Sequence, residues 1–242
     1  MSAEEKGSSN KQLYAGLVII SILILSSVHY YAEYREINDP YDLAGRITHV
    51  SEDIGSYKFN ISNEITILGE TISPLNGSGY VGYADKEMDI SFFSPEKSIN
   101  MIVVDEKAYM REDNGTWESR KLDDDTWESN DQLSRNDFLI EDSTNLSMER
   151  TDRGIVLTAI PDKTALMQEA DKVGLDLQGT EQLRDYYVRY LIDEDTYYIV
   201  SIETYIDIQM KVQGMNSPVI IHNTVNIYDY DQEIDVESPL QA

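Results

Sequence analysis

The chain has 242 residues, with 45 acidic against 19 basic side chains, a formal net charge of −26, no cysteine and three histidines. So acidic a chain offers no basic stripe for nucleic acid, and without cysteine it has no disulfide, thiolate metal site, Fe–S cluster, cysteine nucleophile or lipid-modified cysteine. Hydrophobic residues make up 41 % of the chain, enough for a folded core, while three histidines leave little room for a histidine-rich metal site or a triad.

The N-terminal tail, residues 1–12, holds Glu4, Glu5, Lys6 and Lys11, whose charges cancel. Residues 13–31, LYAGLVIISILILSSVHYY, carry no charge at neutral pH. As a helix they would reach about 28 Å, close to the hydrocarbon thickness of a bilayer. Tyr14 at one end and Tyr30 and Tyr31 at the other sit where an aromatic belt would lie. A cleaved signal peptide needs small residues just before the cut, and Ser26-Ser27-Val28-His29-Tyr30 supplies a poor site. The sequence therefore predicts a retained transmembrane signal-anchor over 13–31. Lys6 and Lys11 before it and Arg35 after it favour a cytoplasmic N-terminus by a small margin, which puts the C-terminal domain outside the cell membrane.

Residues 32–40 read as a polar neck and 41–242 as one extracytoplasmic domain, which then carries the whole acid excess. Four N-x-S/T sequons, at Asn60, Asn76, Asn114 and Asn145, fit an outside location as candidate glycosylation sites. The acidity, with only ten lysines, reads as a solvated surface adapted to high salt. Asp123-Asp124-Asp125 and Asp193-Glu194-Asp195 lack the EF-hand spacing and read as loops rather than Ca²⁺ sites. No metal site is expected.

Asp39-Pro40 is a helix start, an N-cap acceptor followed by proline at N1, with Leu43, Ile47, Val50 and Ile54 at helical spacing and Gly55 as the stop. From Tyr57 the period changes to two, through Phe59 and Ile61. Met88, Ile90 and Phe92 share one face of the next strand, and Ile99 to Val104 is a short apolar run. Strands over Lys107–Arg111 and Trp117–Lys121 flank the hairpin signal Asp113-Asn114-Gly115. A short helix is expected over Asp131–Ile140 and strands around Met148 and over Ile155–Ile160. A helix opens at Pro161-Asp162, with Leu166, Met167, Ala170 and Val173 on one side and Gly174 as its end.

Tyr186, Val188, Tyr190 and Ile192 alternate in the following strand. The run from Tyr197 to Val212 puts Tyr198, Val200, Ile202, Thr204, Ile206, Ile208, Met210 and Val212 on one dry face. Val219, Ile221, Val225 and Ile227 continue the pattern. Asp229, Asp231, Glu233, Asp235 and Glu237 then recur with period two, one solvated face of an extended segment. Strand follows strand without crossover helices, so the sheet is expected to be antiparallel. The fold class is α+β: an N-terminal transmembrane helix, then a strongly curved antiparallel sheet, an open half-barrel, wrapped around two or three helices.

Over residues 41–240 the order of elements resembles the LolA/LppX-like lipoprotein-carrier fold. The resemblance rests on Gly55-Ser56-Tyr57-Lys58-Phe59 leaving the first helix, on Ala108-Tyr109-Met110 followed by Asn114-Gly115-Thr116-Trp117, and on Pro161-Asp162-Lys163. It continues through Asp193-Glu194-Asp195-Thr196-Tyr197 and Tyr228-Asp229-Tyr230 with the acid-rich end running into Pro239. It implies an open half-barrel whose helices plug an apolar cavity, and a role in binding or moving acyl chains or other lipids at the cell envelope. Such proteins are often anchored by a lipid on an N-terminal cysteine. This chain has none, and a transmembrane helix would take that place, as in a membrane-anchored, salt-adapted archaeal relative.

The first functional expectation is a binding module for a hydrophobic ligand, with Ile90, Phe92, Val200, Ile202, Ile206, Ile208 and Met210 lining the cavity. The alternative is a structural or protein-interaction ectodomain of the cell envelope, with those residues packed in a filled core. No enzyme is expected: catalytic, cofactor and metal signatures are absent. Gly77-Ser78-Gly79-Tyr80-Val81-Gly82 matches G-x-G-x-x-G but follows Pro74-Leu75-Asn76, and reads as a hairpin loop rather than a dinucleotide fingerprint. Thr116-Trp117-Glu118-Ser119 recurs as Thr126-Trp127-Glu128-Ser129, and the two tryptophans are candidates for the edge of a cavity mouth.

Overall fold

The structure, a computed structural model, describes residues 20–25, 37–172, 182–212 and 215–240. The chain divides into two units, Met1–Asn38 and Asp39–Ala242. In the first unit residues 20–25 are helical; the rest of the expected span 13–31, the tail 1–12 and most of the neck lie outside the described residues. No helix among the described residues is long and apolar enough to cross a membrane. This overturns the expected transmembrane helix and the single-pass placement drawn from it. A span needs about 20 continuous helical residues, and no described helix has them.

The second unit is built on an eleven-stranded antiparallel sheet ordered β6-β5-β4-β3-β2-β1-β11-β10-β9-β8-β7. The strands are β1 (Ser56–Ile67), β2 (Glu70–Gly82), β3 (Glu87–Phe93), β4 (Ser98–Val104), β5 (Lys107–Glu112) and β6 (Glu118–Lys121). They continue as β7 (Ser143–Thr151), β8 (Gly154–Pro161), β9 (Gln182–Ile192), β10 (Ile199–Val212) and β11 (Met215–Tyr228). Two meanders, β1–β6 and β7–β11, join where β1 pairs with β11 from Lys58↔Tyr228 to Ile67↔Val219. The sheet is not closed: β6 and β7 are its edges.

The helices fall between the strands: α1 (Pro40–Ser51) before β1, α2 (Asp124–Glu128) and α3 (Gln132–Glu141) between β6 and β7, and α4 (Lys163–Lys172) between β8 and β9. The expectation missed α2. Each starts at an aspartate. Asp39 accepts the N–H of Tyr41 at 2.8 Å, with Pro40 at N1. Asp123 accepts that of Thr126 at 2.7 Å, Asp131 that of Leu133 at 3.2 Å, and Asp162 that of Thr164 at 2.8 Å. These caps satisfy backbone donors that a helix leaves free.

All four helices lie toward one face of the sheet, the inner face. Asp131 at the start of α3 accepts the hydroxyl of Tyr57 in β1, and Arg120 of β6 donates to Thr126 of α2. Leu166 of α4 packs on Ile206, Ile208, Val219 and Ile221, and α1 and α3 lie against β8. Alternation fills this face: Tyr57 and Phe59, Met88 and Ile90, Ile155 and Leu157, and Val188, Tyr190 and Ile192 are fully buried. On the outer face, the C-terminal segment lays Val236 and Ile234 on Tyr80, Val104 and Tyr109. Asp229, Asp231, Glu233, Asp235 and Glu237 are exposed; Asp229 pairs with Lys58 at 2.8 Å and Asp231 accepts the Gly55 N–H at 2.7 Å. The segment from Gln232 to Ser238 forms no strand.

Two local readings are corrected. The Gly77–Gly82 stretch is the C-terminal half of β2, not a hairpin loop. Gly79 pairs with Phe59 and Ile90, and a Cβ there would lie 2.8 Å from the Phe59 ring and 2.9 Å from Ile90. At Gly77 it would lie 2.6 Å from the Phe92 ring. These glycines are absent side chains that let flanking rings lie flat on the strand. The second correction is a β-bulge at Val200. Ile199 pairs with Ile192 and Ser201 with Leu191, so Val200 is the extra residue. The alternation slips there: Ile199 turns inward and Val200 outward.

Candidate functional site

The inner face of β3–β6 is a small apolar floor. Cross-strand pairing sets Ile90 beside Met101 and Met101 beside Met110, with Phe92 beside Ile99 in the next row. Directly paired residues share a face, so the five side chains form one patch. Ile90 and Met101 are buried; Phe92, Ile99 and Met110 are partly exposed. Above them lies a cleft of about 690 Å³ whose floor is Phe92, Ile99, Met101 and Met110. Its rim comes from β6, α2 and the turn after it: Arg120, Asp123, Thr126, Glu128, Ser129 and Asn130.

The rim is held by short polar contacts. Arg120 Nη2 donates to Thr126 Oγ1 at 2.8 Å, tying β6 to α2. Hydrogen bonds from Thr126, with the nearby Arg120 charge, hold the Asp123 carboxyl below the usual carboxylate range. Asn130 Nδ2 donates to the Thr126 carbonyl at 2.8 Å. The arrangement offers a dry floor and a polar mouth. No histidine lines it: His49 is on α1, and His222 bonds Glu203 at 3.1 Å between β11 and β10.

Of the seven residues expected to line a cavity, the structure brings one, Phe92, to this cleft. Ile90 lies just behind the floor. Ile202, Ile206 and Ile208 are buried on the inner face, the latter two beneath Leu166. Val200 is 39 % exposed on the outer face, carried there by the bulge. Met210 pairs with Ser217 in register, and its side chain lies outside the described residues. The floor residues that sequence reasoning missed are Ile99, Met101 and Met110. They follow from extending the Ile90–Phe92 face across two hairpins, a step that needs the pairing register. Neither tryptophan lines the cleft: Trp117 packs with the outer-face cluster and Trp127 meets the edge of Tyr83.

A buried polar knot lies beside the cleft. Tyr57 and Tyr83 both donate to Asp131 Oδ1 at 2.8 Å, and Ser134 Oγ donates to Oδ2 at 2.6 Å. The Gln132 N–H donates in turn to Tyr57 Oη at 2.8 Å. Burial and the Asp131 charge push both tyrosines above their ordinary range. Nearly two turns along α3 from Asp131, burial pushes the Asp137 carboxyl up to about 7; Asp131, Glu141 and Glu52 add to this and a Ser51 hydrogen bond opposes it. Among the described residues Asp137 Oδ1 and the Tyr190 hydroxyl are buried with no hydrogen-bond partner. Complete pairing around Asp131 marks a structural pin for the α3 terminus, because an unpaired buried carboxylate there would be costly.

The remaining hollows are shallower in chemistry. A groove of about 790 Å³ on the outer face of β7–β11 mixes Val156, Leu191 and Val200 with Arg153, Arg189, Glu149 and Glu203. One of about 360 Å³ lies between α1 and α3. The sequon residues Asn60, Asn114 and Asn145 are exposed and Asn76 is half-buried in β2. Asp193 takes the N–H groups of Asp195 and Thr196 in the β9–β10 turn, a structural use of that acid run. Among the described residues no group of three histidine or acidic side chains is placed to hold a metal ion.

No family model and no curated protein matches the chain. Among solved structures it is similar to a DUF1329 family protein from Desulfovibrio piger, at 12 % identity over 82 % of this chain and 93 % of that one, with a TM-score of 0.33. It is also similar to a LolA superfamily protein from Nitrosomonas europaea, at 8 % identity over 85 % of this chain and 97 % of that one, with a TM-score of 0.30. With scores this low, the functional reading rests on the geometry of the chain itself.

Proposed function

We propose that this protein binds a hydrophobic ligand bearing an alkyl chain, without catalysing its conversion, in the cleft between β3–β6 and α2. The observation that carries this reading is the continuous apolar floor of Phe92, Ile99, Met101 and Met110, of which Phe92, Ile99 and Met110 stay partly exposed beneath a polar rim. The cleft volume falls within the range of small-molecule sites. At about 0.8 kcal/mol per methylene, burying ten would contribute roughly 8 kcal/mol before the cost of association. The mouth supplies hydroxyl, amide and charged groups for a headgroup, but no histidine base beside Thr126 or Ser129 to activate a nucleophile. An interaction with another envelope protein is the second reading, favoured by the outer-face groove with its exposed Val200.

Titration with dodecyl maltoside below its micelle concentration tests the first reading. We expect one probe bound per chain, and at least a ten-fold loss of affinity in Met110→Trp, where the indole fills the cleft. Equal affinity in that variant would place the alkyl chain elsewhere.

A further inference from the structure

The mouth of the cleft, more than its floor, sets the class of ligand. Arg120 is the one base among the residues lining it, and its guanidinium is already engaged, donating to Thr126 Oγ1 and lying beside Asp123. Asp123 and Glu128 line the same mouth. Glu118 is the cross-strand partner of Met110, so it stands on the same face of β6 as Arg120. Glu112, at the far end beside Ile99, is paired with Lys97 at 3.4 Å. Among the described residues Glu118 and Glu128 have no such cation, and both are exposed. Among the described lining residues Arg120 is thus set against Asp123, and the carboxylates of Glu118 and Glu128 are left in excess on this face.

The geometry points to selection by headgroup charge: the cleft takes a single-chain amphiphile with a cationic head, its ammonium against Glu128 and Glu118 and its tail over Met110 and Phe92, and it disfavours an anionic head. This rests on the proposed alkyl site. An anionic head would meet acids that Arg120 does not neutralise, within a chain whose net charge is −26. A cationic head completes pairs that the protein leaves open, and the floor supplies the affinity in either case.

The test compares dodecyltrimethylammonium, dodecyl maltoside and dodecanoate by calorimetry on the full chain, below their micelle concentrations. It is run in 0.5 M NaCl, which screens the general field of the protein more than a contact pair. The expected order is ammonium, maltoside, dodecanoate, each step about two- to five-fold, the range of an exposed ion pair. Glu128→Gln should lower the ratio of ammonium to maltoside affinity, although it removes one charge of a large excess. Glu128→Lys should bring dodecanoate level with the ammonium probe or ahead of it. Equal affinities for the three probes, or an order that neither variant moves, overturns headgroup selection while leaving the alkyl site standing. Binding of none of the three overturns the alkyl site itself.

Discussion

The two halves of the sheet carry the same alternation of apolar and polar residues and are covered in opposite ways. Across β3–β6 the inner face keeps Phe92, Ile99 and Met110 partly open, and the outer face is sealed by Ile234 and Val236 of the C-terminal segment. Across β9–β11, Leu166 packs on the inner isoleucines, and the outer face carries the groove that holds Val200. Helix length explains the difference on the inner side. The five residues of α2 span about 7.5 Å, short of the roughly 14 Å across four strands, whereas the ten of α4 span about 15 Å. Alternation decides which side chains share a face. The connecting segments decide which face is dry.

That contrast can be broken by mutation. Leu166→Ala removes the side chain that roofs the β9–β11 half and should cost about 2–5 kcal/mol in denaturant unfolding, while Met110→Ala in the open half should cost about 1 kcal/mol or less. Comparable losses would mean that both halves are packed alike.

The next largest effect concerns α3. Asp137 holds its proton up to about pH 7 when folded, against an ordinary 3.8. Its folded pKa is raised, so the stability it contributes is fully present below about pH 4 and lost as pH rises to about 7. Asp137→Asn should therefore stabilise the protein at pH 8, by on the order of 1–4 kcal/mol, and flatten the pH profile of thermal unfolding between pH 4 and 7. A variant less stable than the parent at pH 8 would contradict this.

Smaller changes separate the glycines. Gly79→Ala drives a Cβ into Phe59 and Ile90 and should cost about 1–3 kcal/mol. Gly45→Ala, on the exposed side of α1 with nothing within 4 Å, should raise stability by about 0.5–1 kcal/mol. Thermal melts of the pair check the sign of each.

Much of the sheet was legible because its strands alternate cleanly and its turns carry their own chemistry, as at Asp113-Asn114-Gly115. The helix starts were legible in Asp39-Pro40 and Pro161-Asp162. What failed depends on distant partners. β2 has glycines where Phe59 and Phe92 need room, and glycine reads locally as loop. Val200 sits on a bulge visible only through its pairing with β9. Thr-Trp-Glu-Ser enters strand β6 at 116–119 and α2 at 126–129, so the same four residues take two conformations under different tertiary contacts. The hydrophobic run at 13–31 read as a span on composition alone, and no described helix has the length to make one. Of the site, Phe92 was in hand, but its neighbours Met101 and Met110 are reached only through the register of two hairpins.

The most direct test of the central claim is methyl NMR during titration with dodecyl maltoside. A ligand in the cleft shifts Ile99, Met101 and Met110, beneath α2, and leaves Ile206, Ile208 and Ile221, beneath α4, unmoved. Shifts confined to the α4 half, or none in either, would contradict it.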